Sequence, residues 1–208
     1  MPLGGAPRGS AWAWAEEYNP VTMDSMTLPG AVQAIWDEME SIREQVLDEA
    51  NGLRQAQGDW RAGPGEWSIG EILHHLIVAE IQTGKLTTKL VREAEAAGTL
   101  TPYPSDVARF EPLPARDAHG MQAPASVLPE PGRSLVQLSA EMRAIRTRSR
   151  ESVDKLARLD PRPLVFPHFA LGDLHLAQWW MLQAAHDRIH LRQIRAVKAS
   201  PGFPGALR

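Results

Sequence analysis

Four long segments of this chain carry apolar residues at the spacing of an α-helix, and stretches rich in glycine and proline separate them. The segments are 29–57, 68–98, 134–159 and 175–198. No strand-like alternation, internal repeat or heptad array stands out. Amphipathic helices bury their apolar faces by packing against one another. We therefore expect an all-α fold, a four-helix bundle with long connections.

The breaks between these segments divide the chain into a bundle and two tails. Residues 1–26 are rich in Gly, Pro and Ala, which predicts a flexible or loosely docked N-terminal tail. Residues 27–200 form the predicted bundle, and 201–208 form a C-terminal tail. Within the bundle, the connection 99–132 contains seven prolines. A loop this long is usually either functional or disordered.

Two of the helix starts carry capping signals. Ser68 and Glu71 fit a capping box, in which the serine oxygen accepts from an amide and the glutamate accepts from the serine amide. His175 is placed to cap the start of the fourth helix. Pro29 suits the first turn of the first helix.

The composition excludes several classes of site. The chain has 208 residues, a net charge of -3 and no cysteine. Disulfides, thiolate ligands and a cysteine nucleophile are therefore excluded. The weak net charge gives no general argument for nucleic acid or an anionic membrane. The first residues lack the basic start and apolar run of a signal peptide, so we expect a soluble cytoplasmic protein.

The third predicted helix contains a stretch rich in arginine. Arg143, Arg146 and Arg150 share a helix face in the sequence RAIRTRSR. Without interleaved aromatic residues, this face predicts a solvated surface rather than a nucleic-acid site. An acidic partner or a carboxylate-bearing thiol is the alternative.

The sequence AAHDRIHLRQI raises the question of metal binding. His186 and His190 are four residues apart, which places them about 40° apart on a helical wheel. They share a stripe that we expect to face the bundle interior, with Trp179, Leu182, Ile189 and Val197. Core packing is one explanation, but two buried imidazoles both need partners. A shared metal ion would satisfy one nitrogen of each.

The third ligand of a metal site must come from elsewhere in the chain. No His, Asp or Glu follows His190, and Asp187 stands where an H-E-x-x-H zinc peptidase has its glutamate. The helical wheel of the second helix favours His75, at the edge of the buried face, and turns His74 toward solvent. Glu71-x-x-His74 is half of a di-iron motif, but no second copy exists.

Other polar residues have weaker cases as ligands. His168 and His119 lie in predicted loops. Glu80 falls near the centre of an apolar face, where a carboxylate needs a partner. It either orients a ligand or bonds to a neighbouring helix.

Two motifs together carry a family resemblance: W-S-x-x-E-x-x-x-H-L at 67–76 and H-x-x-x-H-x-x-Q at 186–193. With them, residues 28–198 resemble the DinB/YfiT-like superfamily of four-helix-bundle metalloproteins. The resemblance implies one divalent metal held by His75, His186 and His190. It also implies a homodimer, and branches of the family that transfer or add small thiols such as bacillithiol, mycothiol or glutathione.

The expected function is metal-dependent transfer of a small thiol to an electrophilic substrate. A metal-bound water or thiolate is the reacting group, and zinc or nickel is the expected metal, with iron or manganese as alternatives. Glu80, Asp187 and Gln193 are expected to orient the imidazoles. Either the loop 99–132 or the tail bearing Trp12 and Trp14 covers the pocket. A metal-dependent hydrolase using metal-bound hydroxide and a non-catalytic metal-binding bundle are the rival functions.

Overall fold

The predicted helical bundle is confirmed by a computed structural model, which describes residues 27–115 and 122–205. The described part is mostly helical, and the 3-10 turn Ala125–Val127 lies in the long connection. Its α-helices are α1 (Gly30–Ala50), α2 (Gln55–Gly58), α3 (Ile69–Ala96), α4 (Leu135–Leu156) and α5 (Leu176–Ala199). No helix within these residues is long and apolar enough to cross a membrane. The predictions for 1–26, including Trp12 and Trp14, and for His119 lie outside the described residues.

The four long helices pack unevenly around the core. Helix α1 packs mainly on α5, and α3 packs mainly on α4. Helices α3 and α5 also contact each other, whereas the seam between α1 and α4 is less closely packed. Trp180 of α5 is fully buried, and its indole nitrogen donates to the Thr87 hydroxyl at 3.0 Å. This contact joins α5 to α3.

The helix starts agree with the capping signals. The Ser68 hydroxyl accepts from the Glu71 amide, and the Glu71 carboxylate accepts from the Ser68 amide at 2.9 Å. The His175 ring nitrogen Nδ1 accepts from the Gln178 amide at 3.2 Å. Both caps were predicted, and both hold a helix that carries histidines of interest.

The first helix is shorter than its periodicity indicates. It ends at Ala50 rather than near residue 57, because the chain turns at Gly52, whose φ of 73° is costly for residues with a side chain. The remaining residues form the separate one-turn helix α2. Apolar spacing alone did not reveal this break.

A short hairpin joins α4 to α5 and corrects the expectation of no strands. Strands β1 (Val165–His168) and β2 (Gly172–His175) pair antiparallel, from Val165 opposite His175 to His168 opposite Gly172. Each strand has four residues, which is too short for alternation to stand out from the sequence. The Trp179 indole donates to the Phe166 carbonyl at 3.1 Å and ties the hairpin to α5.

The irregular segments that the structure describes pack on the bundle. Phe110, in the proline-rich connection, is buried in an apolar cluster. Residues 201–205, predicted as part of a tail, turn back so that Phe203 is buried against Trp60, with ring centroids 5.5 Å apart. The Pro204 carbonyl accepts from the Gln57 side chain at 2.8 Å.

A layer of charged side chains crosses the core, with a member from each long helix. Arg43 of α1 donates to Asp187 of α5 at 2.8 Å and lies 2.8 Å from the Glu80 carboxylate of α3. Arg146 of α4 contacts both carboxylates, and the Ser149 hydroxyl donates to Glu80 at 2.6 Å. Apolar clusters lie before and after this layer along every helix. The layer therefore links all four helices at one level.

The basic stretch of α4 is not the solvated surface that its sequence indicates. Arg143 is exposed, but Arg146 is 5% exposed and belongs to the charged layer. The shared helix face was assigned correctly, but it turns toward α1. The carboxylates that pair with the buried Arg146 come from other helices. The local sequence does not show these partners.

Arg43→Ala tests the charged layer. We expect the free energy of unfolding in metal-free buffer to fall by about 3–5 kcal/mol, because buried carboxylates lose their main partner. Urea denaturation followed by circular dichroism measures it. Arg195→Ala is the matched control, since its pair with Glu49 is half-exposed and is worth about 0–1 kcal/mol. Equal losses in the two variants would show that the layer is no stronger than a surface pair.

Candidate metal centre

Three imidazoles from two helices converge on one point in the described part of the chain. The Nε2 atom of His186 lies 3.0 Å from Nε2 of His75 and 3.1 Å from Nε2 of His190. The three residues offer ligand atoms that all lie within 4.8 Å of one another. Two imidazole nitrogens bound to a tetrahedral zinc are about 3.4 Å apart, so the cluster needs only a small expansion to hold an ion.

The outer nitrogens of two rings are held by oxygen acceptors. His75 Nδ1 lies 2.6 Å from the Val127 carbonyl oxygen, and His190 Nδ1 lies 2.7 Å from Oε1 of Gln193. These oxygens accept hydrogen bonds, so both Nδ1 atoms carry the proton. The Nε2 atom of His75 and that of His190 then each carry a lone pair that faces the centre of the cluster.

A count of protons shows why this cluster suits a cation. The Nε2 atom of His186 contacts two lone pairs, on His75 and His190, and it carries at most one hydrogen. At least one of the two contacts therefore lacks a hydrogen of its own while all three rings are neutral. A metal ion at the centre would instead accept a lone pair from each Nε2 atom. The donor set thus fits a divalent metal.

Burial keeps the three rings in the neutral form that metal binding needs. It lowers the pKa of His75, and it lowers the pKa of His190 to about 4, with a further contribution from His75. Burial, followed by the neighbouring His190 and His75, places the pKa of His186 well below its ordinary value. Adding a proton to these rings is therefore unfavourable, so protonation does not readily supply the hydrogen that one contact lacks.

The three histidines are joined by no fourth protein ligand among the described residues. Among the described residues the group has three members, all histidines, and no carboxylate completes it. His75 and His190 are buried, whereas His186 is partly exposed, so the cluster lies at the edge of the bundle interior. Three neutral ligands with a free position are typical of catalytic rather than structural zinc.

The comparison with known proteins gives a match that includes α3 and most of α5, the two helices that carry the histidines. Residues 38–194, which include all three histidines, match the family model of the DinB superfamily. The chain belongs to the DinB superfamily. It is also 25% identical over 160 residues to the uncharacterized protein YuaE of Bacillus subtilis (strain 168), a match that covers 75% of this chain and 92% of that protein.

Two parts of the site in this DinB superfamily member were not assigned from the sequence. The Trp67 ring packs on His75 and His190, with centroids 4.7 and 6.0 Å apart. Trp67 belongs to the motif that carried the resemblance, but its contact with the rings was not predicted. The Val127 carbonyl is a backbone group in the proline-rich connection, and no side-chain signal indicates it.

The sequence misplaced His74. Its ring was expected to face solvent, but it is 6% exposed, and its Nδ1 accepts from the Glu130 amide at 2.8 Å. The helical wheel locates the bundle core correctly but ignores the connection that covers the other side of α3. His74 therefore anchors this connection and is not part of the three-histidine cluster.

The residues expected to orient the imidazoles divide into two groups. Gln193 contacts His190. Asp187 and Glu80 do not contact the rings, because their oxygens bond to the arginines and serine of the charged layer. Asp187 is consequently turned away from the centre, which also removes it as an H-E-x-x-H-type base.

The buried face of α5 is rotated from its expected direction. Ile189, predicted to share the inward stripe, is 43% exposed, whereas Trp180 is fully buried. Asp187 lies on this buried face, where it meets Arg43, together with the apolar side chains of Leu191 and Ile194. His186 lies at the edge of the buried face as a result. His168 lies in β1 outside the cluster, and His175 caps α5.

The stability of the metal-free protein should depend on pH through these rings. Their folded pKa values lie below the unfolded value of about 6.5, so the unfolded chain binds protons first as pH falls. The contribution of His190 is complete above about pH 6.5 and is lost toward pH 4. For His190 we expect a loss of roughly 2 kcal/mol between pH 7 and pH 5.

Urea denaturation at these two pH values, with EDTA present, measures the effect. His190→Gln is the comparison, and it should lose less stability over the interval because it lacks one titrating ring. Parallel losses in the wild type and the variant would contradict the pKa direction assigned to His190.

Proposed function

We propose that this DinB superfamily member binds one divalent metal through His75, His186 and His190 and uses it to transfer a small thiol to an electrophile. The observation that carries the proposal is the convergence of three Nε2 atoms, with the outer nitrogens of two of the rings held by oxygen acceptors. Zinc or nickel is the proposed metal, because imidazole suits both.

The chain's own groups prepare the site in this proposal. The Val127 carbonyl and Gln193 fix the tautomers of His75 and His190, so that their lone pairs face the centre. Trp67 packs against the same two rings and limits their rotation. When bound, a divalent cation would lower the pKa of a thiol or water molecule at its free position.

The proposed reaction is direct, because the chain has no cysteine to form a covalent intermediate. The thiol loses its proton to solvent, and its sulfur forms a bond to the electrophilic carbon. The bond from that carbon to the leaving group breaks, and the leaving group departs with the electron pair. The thiol as nucleophile is supported by what the family resemblance implies for the characterised branches.

Two rival functions use the same cluster. A hydrolase would employ water as the nucleophile at the free position, and the partly exposed His186 favours access for either molecule. A non-catalytic bundle would use the metal only for stability. The proposed metal site is common to all three functions, so it can be tested separately from the reaction.

The metal site is tested by replacing each of His75, His186 and His190 with Ala. We expect each variant purified without nickel resin to lose the metal, since two imidazoles make a weak site. Mass spectrometry of the intact protein and elemental analysis give the stoichiometry. Unchanged metal content in any variant would remove that residue from the ligand set.

His74→Ala is the matched control for the metal site. The ring is adjacent to His75 and is also buried, but its bond goes to the Glu130 amide. We expect this variant to retain the metal, although it loses an anchor of the connection. Loss of metal from His74→Ala together with the other variants would indicate a general loss of structure.

The reaction is tested with metal-loaded protein, monochlorobimane and one of bacillithiol, mycothiol or glutathione. We expect conjugation above background, with release of chloride, in the wild type and His74→Ala but not in His186→Ala. Fluorescence of the conjugate measures the rate. If no thiol reacts and the protein cleaves an ester or amide in a metal-dependent way, the hydrolase replaces the transferase. Inactivity in both assays would leave the non-catalytic bundle.

A further inference from the structure

A groove lies in the less closely packed seam between α1 and α4. Its volume is about 440 Å³, within the range of small-molecule sites. Its lining includes the four arginines 43, 143, 146 and 150, two glutamates, 40 and 44, and the apolar side chains of Trp36 and Leu47. Cations therefore outnumber carboxylates in the lining.

Two of these arginines have donors that the protein does not use. Arg43 and Arg146 are 3% and 5% exposed, and the Nη1 atom of each is buried without a hydrogen-bond partner. The Nε atom of Arg146 is 3.2 Å from the Glu80 carboxylate and 3.5 Å from the Glu40 carboxylate, but it is not aligned for a hydrogen bond to either. Buried guanidinium donors are normally paired, so these indicate a missing acceptor.

The neighbouring carboxylates already bond to other donors. Both oxygens of Asp187 accept from Arg43, and one also accepts from Arg146. Glu80 accepts from Ser149 through one oxygen and contacts both arginines through the other. The remaining donors of the arginines therefore need an acceptor from outside this set.

The rim of the groove supplies further donors and an aromatic surface. Arg143 is exposed and donates to the Ser139 carbonyl, with no carboxylate partner among the described residues. The guanidinium carbons of Arg150 and Arg146 lie 5.2 and 6.0 Å from the centre of the Trp36 ring. A ligand here meets cationic and apolar groups together.

We propose that this groove binds a small organic carboxylate with an apolar body. The planar guanidinium groups match a carboxylate in two-point hydrogen bonding. Arg43 and Arg146 supply buried donors without a partner, and Arg143 supplies exposed donors at the rim. The apolar body lies against Trp36 and Leu47. This site is separate from the three histidines and does not rest on the proposed transferase function.

Benzoate is the probe, and isothermal titration calorimetry with the full chain measures its binding. Acetate tests the need for the apolar body, benzamide tests the need for the charge, and inorganic phosphate tests the choice of anion. We expect benzoate to bind more tightly than all three. The titration is repeated with EDTA, because a carboxylate bound to the metal would be lost there, whereas binding in the groove persists.

The variants identify the site. Arg143→Ala should weaken benzoate binding about tenfold, equivalent to about 1.4 kcal/mol. Arg148→Ala is the matched control, since this exposed arginine lies on the same helix outside the groove and should leave binding unchanged. Trp36→Leu should reduce the affinity for benzoate toward that for acetate. Circular dichroism checks that each variant is folded.

Four results would overturn the proposal. They are no binding of benzoate at millimolar concentration, binding that disappears with EDTA, tighter binding of phosphate, and equal weakening by Arg143→Ala and Arg148→Ala. Sedimentation velocity supplies a fifth. If the wild type is a dimer and Arg143→Glu converts it to a monomer, the groove is an interface between two copies and not a ligand site.

Discussion

The charged layer formed by Arg43, Glu80, Arg146 and Asp187 is the constraint on which the rest of the bundle depends. Each long helix contributes one of these residues, and each is almost completely buried. A charge in the core is tolerated only when its partners are in place. The four helices must therefore meet at one level along their axes, and the apolar clusters on either side of the layer follow from that register.

The periodicity of apolar residues was sufficient to predict the four long helices, and the capping residues located two of their starts to within one residue. The spacing of His186 and His190 placed both rings on one side of a helix. The helical wheel favoured His75 as the third ligand, and the family resemblance implied the set of three. Helices and their faces are local properties, so a single sequence carries them.

What the sequence did not reveal depends on contacts between distant segments. The Val127 carbonyl reaches His75 only because the connection folds back over α3, and the same path buries His74. Likewise, the buried position of Arg146 is created by acids on α3 and α5 rather than by its neighbours in RAIRTRSR. The pattern of apolar residues does not predict these hydrogen bonds and ion pairs, because it does not identify which distant residue is the partner.

The charged layer also determines the geometry of the three histidines. Asp187 faces Arg43, and the rotation of α5 that allows this contact places the adjacent His186 at the edge of the core. A rotation by one residue, about 100°, would remove Asp187 from its partner and His186 from His75 together. Replacing buried ions by apolar residues often preserves stability, and in some proteins it relaxes the register. In this bundle the register positions the three-histidine cluster, so the charged layer supports that cluster without touching it.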